Sequence, residues 1–192
     1  MGTHADPLPF GLAIFSLGIG VALVTFLSLS QFDVTYTRTQ WTALLSLLLA
    51  SPAIVVYTLD PAPPGPWWRA FWTVGLLAYL LHFWWAVFGS FHGSFQAVIA
   101  RQGLVAFSNF AVTGLWLADV VAAWALAAHQ TRWPLRMLRI VTWLLVVTSF
   151  VGATAIFRTG PVRYLGWLLV AVIVAALVLR WFRTSRPRDL AA

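Results

Sequence analysis

Asp119 and His82 are the two residues of this sequence whose chemistry demands the most explanation, because each sits inside a long apolar stretch. A carboxylate at the centre of a membrane span costs about 2.5–3.5 kcal/mol on insertion scales unless it is paired, neutral or hydrated. Asp119 is therefore a candidate for proton handling or ligand binding; the competing reading is packing glue, a neutral acid or one hydrogen-bonded to a neighbouring helix. In the packing case Asp119→Asn should fold and work almost normally, since no basic residue lies near it within its span. His82 lies in a stripe of small residues, Gly75, Ala78, Ala86 and Gly89, spaced by three and four, which predicts that it points into the bundle. Its bland alternative is an imidazole bonded to a backbone carbonyl or to Tyr79. At about 1.5 Å rise per residue, His82 falls about 4–5 Å to the outer side of its span's midpoint and Asp119 about 4–5 Å to the inner side of its own. Direct contact between them is not expected.

A second group of polar residues, His92, Ser94, Gln96, Arg101 and Gln102, runs into Ser108 and Asn109. Phe91, Phe95, Val98 and Ile99 are interleaved at the spacing of an interfacial half-helix. As the rim of a pocket, this loop would bind an anionic lipid or quinone-like headgroup through Arg101 and His92; otherwise it is a solvated loop. The candidate ligand-binding set is thus His82, His92, Gln96, Arg101, Asn109 and Asp119. Haem is not expected, because two axial histidines must share one depth. His82 and His129 are separated by more than about 20 Å along the membrane normal, and His4 lies in the amino-terminal tail. Haem held through His82 alone is the residual redox reading.

Other chemistry is excluded by composition. The chain has no cysteine, so it has no thiolate catalysis, disulfide or Cys-based metal site. It has no glutamate, no His-x-x-x-His, no Gly-x-Ser-x-Gly and no phosphate-binding glycine loop. No catalytic residue or metal site is assigned. All twelve cationic side chains are arginine. They sit at the ends of apolar segments rather than along one helical face, so a nucleic-acid partner is not expected.

The elements that position these residues are membrane spans. With 192 residues, 61% of them apolar and 9% charged, the chain reads as an all-α polytopic membrane protein in a single membrane domain. Six spans long enough for a hydrocarbon layer of about 30 Å are predicted. They cover roughly 10–30, 41–59, 68–89, 104–128, 138–157 and 162–182. The first is not read as a signal peptide, since Asp6 precedes it without any Arg or Lys and its apolar run is too long. Eight arginines, Arg139 among them, fall on the side of the termini and four on the other, predicting a six-helix bundle with both termini cytoplasmic (N-in/C-in). Trp41, Trp67, Trp68, Trp133 and Trp181 are expected at the interfaces with wet indole N–H groups; Trp116, Trp124 and Trp143 lie deeper and need partners. The proline-rich 61–66 connection predicts a stiff spacer, and Pro52 a kink within the second span.

Small residues are what let helices approach closely in lipid. The stripes Gly75–Gly89 and Ala111, Gly114, Ala118, Ala122, Ala125 predict tight packing of the third span on the fourth, with Gly114 at the contact; Ala13, Ser16 and Gly20 form a shorter stripe on the first span. The functional expectation is a small non-catalytic subunit of the bacterial-type inner membrane, accessory to a larger membrane complex or self-associating, that binds a lipid or quinone near the outer loop. The alternatives are a proton-coupled carrier or channel using Asp119 and His82, and a redox subunit with haem on His82.

Overall fold

Proline or a capping oxygen marks most helix starts in this chain. The computed structural model describes residues 7–61, 65–156 and 160–185. His4, the prolines at 63 and 64, and Arg158, Arg186 and Arg188 lie outside the described residues. Helix α1 spans Leu8–Ser28 with Pro9 in its first turn. Helix α2 spans Val34–Leu59, capped by the Asp33 carboxylate, which accepts from the Tyr36 N–H at 2.8 Å. Helix α3, Pro66–Trp84, starts on its proline and widens into a π-helical segment, Trp85–Ser90. Short α4, Phe95–Gln102, is capped by Ser94 and is joined to α5, Leu104–Ala125, by Gly103 alone. Gly103 has φ +57°, a conformation that a side chain resists, and so lets α4 fold back sharply before α5 begins. Helix α6, Trp133–Val151, carries Pro134 in its first turn and ends in a π-helical segment, Gly152–Ile156; α7 is Pro161–Ser185.

Six of these helices, counting each π segment with the helix it extends, are long and apolar enough to cross a membrane. The expected spans are all present, but two begin earlier than hydropathy indicates: α2 starts seven residues before Trp41 and α6 five before Leu138. Both early starts follow from the end signals, Asp33 as N-cap and Pro134 inside the first turn, which outweigh the polar residues that dilute the apolar average. Helix α2 runs through Pro52 as one element. The amphipathic half-helix expected around Phe95–Ile99 is α4, and its Val98 is buried against Val87 and Ala106.

The packing partner of α3 differs from expectation: α3 lies most closely on α2, not on α5. A methyl built on Gly75 would lie 2.8 Å from Ala50 Cβ and 3.0 Å from its Cα, and Ser46 Oγ donates to the Gly75 carbonyl at 2.8 Å. Gly89 meets Thr35 in the same way. The small stripe of α5 is exposed at Ala111, Gly114, Ala118 and Ala125, and nothing lies within 4 Å of a methyl built on Gly114. Helix α5 instead buries Val112, Trp116, Asp119, Val120 and Ala123. Large aromatics fill a broader space than a small-residue contact, which is why this face, and not the stripe, turns inward. The stripe on α1 does face inward, with Ala13 fully buried and Gly20 against Leu45.

Candidate functional site

Two polar centres lie at opposite ends of the bundle. The one on the side where α3 begins and α7 ends, called inner after the expected orientation, joins α3, α5 and α6. Trp72, Asp119 and Arg139 each lie six residues from the helix ends at Pro66, Ala125 and Trp133. At about 1.5 Å per residue all three are about 9 Å from the same end of the bundle. Trp72 Nε1 donates to Asp119 Oδ2 at 2.9 Å, and Arg139 Nε lies 3.5 Å from Asp119 Oδ1 with the two side chains 2% and 0% exposed. That second distance is an ion pair without a formed hydrogen bond, so Oδ1 and Nε are both buried with no hydrogen-bond partner. Arg139 Nη2 donates to Gln130 Oε1, and Gln130 Nε2 donates to the carbonyls of Ala122 at 2.8 Å and Leu126 at 2.9 Å. Both carbonyls also accept a backbone N–H, from Leu126 and from His129, so Gln130 adds a second donor to each and ties the carboxyl end of α5 to α6.

Arg139 corrects two expectations. It is not a flanking topology charge, and Asp119 does have a basic neighbour, supplied by another helix rather than its own. The sequence signal was available: Arg139, Thr142, Val146 and Phe150 recur at three and four and form the buried face of α6. Trp68 is corrected too. It is 3% exposed, packed 5.4 Å from Trp72 with the Arg139 guanidinium 5.0 Å over its ring, and its Nε1 is buried without a partner rather than wet. Trp41, Trp67, Trp133 and Trp181 are exposed as expected. Trp124, expected deeper, is instead 46% exposed one residue from the end of α5, where it donates to Thr73 Oγ1 at 3.0 Å; Trp143 donates to the Ile54 carbonyl at 3.4 Å, and Trp116 is fully buried between Trp72 and Tyr79.

The outer centre surrounds His82. Its Nδ1 is 2.8 Å from the Thr39 carbonyl. A carbonyl only accepts, so Nδ1 carries the hydrogen, and in the neutral ring Nε2 is left with an acceptor lone pair. The Tyr79 ring packs on the imidazole at 5.7 Å and its hydroxyl donates to the Asn109 carbonyl at 3.3 Å. His82 lines a cleft of about 560 Å³ between α2, α5, α6 and the start of α7, together with Thr39, Ser108, Asn109, Thr148 and Ser149. A smaller cavity of about 200 Å³ also touches His82, Thr39 and Asn109. Among the described residues, no arginine or acid lines either.

Of the six candidate residues, the fold brings His82 and Asn109 together. Arg101 is exposed and lines an adjoining recess of about 740 Å³ with Asp33 and Gln102, sharing Tyr36 and Thr39 with the cleft. His92 and Gln96 are exposed and line none of these cavities, so His92 and Arg101 do not form the joint rim expected for an anionic headgroup. Asp119 belongs to the inner centre. Its partner Trp72, then Trp116 and Tyr79, stand between it and His82, with ring centroids 4.7, 5.6 and 5.7 Å apart along the series that ends on the imidazole. No protein-family model, curated protein or solved structure matches this chain.

Proposed function

We propose that this protein is a non-catalytic membrane subunit that seats an uncharged, quinone-type amphiphile in the His82 cleft, with the ring headgroup on His82 and the tail among the helices. The observation that carries the reading is the chemistry of the lining. A cleft of about 560 Å³ is of ligand size, and among the described residues it offers one oriented imidazole, hydroxyls and two amides but no cation. A phosphate would lose its hydration there without gaining a counter-charge, whereas a quinol hydroxyl donates to His82 Nε2 and its other oxygen meets Ser108 or Asn109. Trp41 also lines the cleft and is one of twelve tryptophans, so occupancy is read as the part of the emission change that Trp41→Phe removes. Titration with a short-chain benzoquinol is expected to quench the Trp41 fluorescence saturably, and His82→Ala to weaken binding about tenfold, the size of one lost hydrogen bond of about 1.4 kcal/mol. Arg101→Gln should leave the affinity unchanged. Equal affinity in His82→Ala, or equal competition by a phospholipid of matched chain length, would reject the site.

The same reading places the chain as one membrane unit in a bacterial-type inner membrane with both termini cytoplasmic, packed against a larger membrane complex or a second copy. Short connections and the absence of catalytic motifs support an accessory role. Setting aside Arg139, which is engaged with Asp119, seven arginines remain on the side of the termini against four, and the asymmetry still favours this orientation. Reporter fusions at Ser185 and at Gly93 should fall on opposite sides of the membrane, with Ser185 inside; equal signals from both would contradict it.

A further inference from the structure

At the end of the bundle away from the His82 cleft, a groove of about 470 Å³ is lined by Pro9 and Phe10 of α1, Pro66, Arg69 and Thr73 of α3, and Trp124 of α5. Among the described residues Arg69 is its one charged wall. The guanidinium lies over the Trp124 ring at 5.4 Å, yet its Nε is buried with no hydrogen-bond partner. Among the described residues no ion pair involves this side chain, and its buried Nε meets no acceptor. The surroundings hold it in place: Thr73 donates to the Arg69 carbonyl at 2.7 Å and accepts from Trp124 Nε1 at 3.0 Å, while Phe10 packs edge-on against Trp124 at 5.9 Å. Three helices thus build a wall around a cation whose charge they leave unanswered.

Depth identifies what answers it. Arg69 is three residues, about 4.5 Å, inside the start of α3, flanked by the half-exposed indoles of Trp67 and Trp124. Tryptophans of this kind lie at the boundary between headgroups and acyl chains. Helix α3 also begins on Pro66 with no capping side chain and no acid in its first turn, so its positive end adds to the field of Arg69. We propose that this groove is a binding site for an anionic phospholipid, whose phosphodiester pairs with Arg69 and whose acyl chain lies against Phe10, Pro9 and Trp124. It is independent of the His82 cleft and differs from it in kind: one end of the bundle takes an uncharged headgroup, the other a charged one.

Native mass spectrometry of the detergent-purified protein tests this with phosphatidylglycerol, diacylglycerol of the same chains and inorganic phosphate as probes. Phosphatidylglycerol should be retained at one copy per chain at least tenfold more tightly than diacylglycerol, and inorganic phosphate should not be retained. Arg69→Gln should lose that tenfold preference, Arg69→Lys should keep it within about threefold because it retains the charge, and Arg101→Gln, at the other end, should not change it. Equal retention of the two lipids by the unaltered protein overturns the proposal without any variant needing to fold. So does retention of inorganic phosphate alone, a dimer that excludes lipid, or an Arg69→Gln protein that retains phosphatidylglycerol as the unaltered protein does.

Discussion

Arg139→Met is expected to lower the thermal unfolding midpoint in detergent by about 10 °C, because it strands the fully buried Asp119 carboxylate without its only ion-pair partner among the described residues. Removing one member of a buried ion pair costs about 3–5 kcal/mol, which for a chain of this size is on the order of 10 °C. Asp119→Asn should be costly for the mirror-image reason, since the 2%-exposed Arg139 would keep its charge and lose its only counter-ion among the described residues. The near-normal folding expected of Asp119→Asn from sequence alone is therefore withdrawn. Removing both charges together, Asp119→Leu with Arg139→Met, should recover most of the loss, because apolar replacements of a buried pair are often neutral or stabilising. Singles as mild as Arg101→Gln, or a double variant as damaged as the singles combined, would show that the pair does not tie α5 to α6.

Gly75→Leu should be nearly as damaging, and Gly114→Leu harmless. Even a methyl at Gly75 meets the Ala50 backbone and its Cβ at 2.8–3.1 Å, atoms that cannot rotate away, so α2 and α3 must part and the Ser46 bond to the Gly75 carbonyl must stretch. Overpacking of this kind costs about 1–3 kcal/mol for added methylenes, and a full leucine belongs at or above the upper end. At Gly114 the side chain enters open space. Thermal unfolding in the same detergent should show a drop of several degrees for Gly75→Leu and a change of about 1–2 °C or less for Gly114→Leu. The reverse order would mean that α3 packs on α5 after all.

Hydropathy was enough to count the six long helices, because apolar runs of about 20 residues with few charges have little other use. It was poor at their ends. Asp33 and Pro134 announce the true starts of α2 and α6, but both precede residues polar enough to lower a hydropathy average, and capping chemistry is invisible to such an average. That error propagated into the inner centre. With α6 begun at Leu138, Arg139 looked like a boundary charge; begun at Trp133, it is a second-turn residue on the buried face, level with Asp119.

Partner choice between helices was less legible than helix count. Small-residue stripes on α3 and α5 are alike in sequence, yet one meets Ala50 and the other is exposed at all but Ala122, because which stripe turns inward depends on how Trp72, Trp116 and Tyr79 share the interior. The inward direction of His82 was readable from its small neighbours, whereas its acceptor, the Thr39 carbonyl, was not, since backbone acceptors carry no residue signature. Gln130 was missed for a related reason: a glutamine just past a helix end resembles any solvated loop residue until α6 folds over it.

We propose that ligand binding resides in the cleft around His82 and that the Asp119–Arg139 pair serves assembly. The direct measurement is the benzoquinol titration of Trp41 fluorescence run on three proteins side by side: unaltered, His82→Leu, and the Asp119→Leu/Arg139→Met double variant. His82→Leu should lose about tenfold in affinity with an unchanged unfolding midpoint, and the charge-free double variant should bind within about threefold of the unaltered protein. Full affinity in His82→Leu together with lost binding in a well-assembled double variant would contradict it and move the functional centre to Asp119.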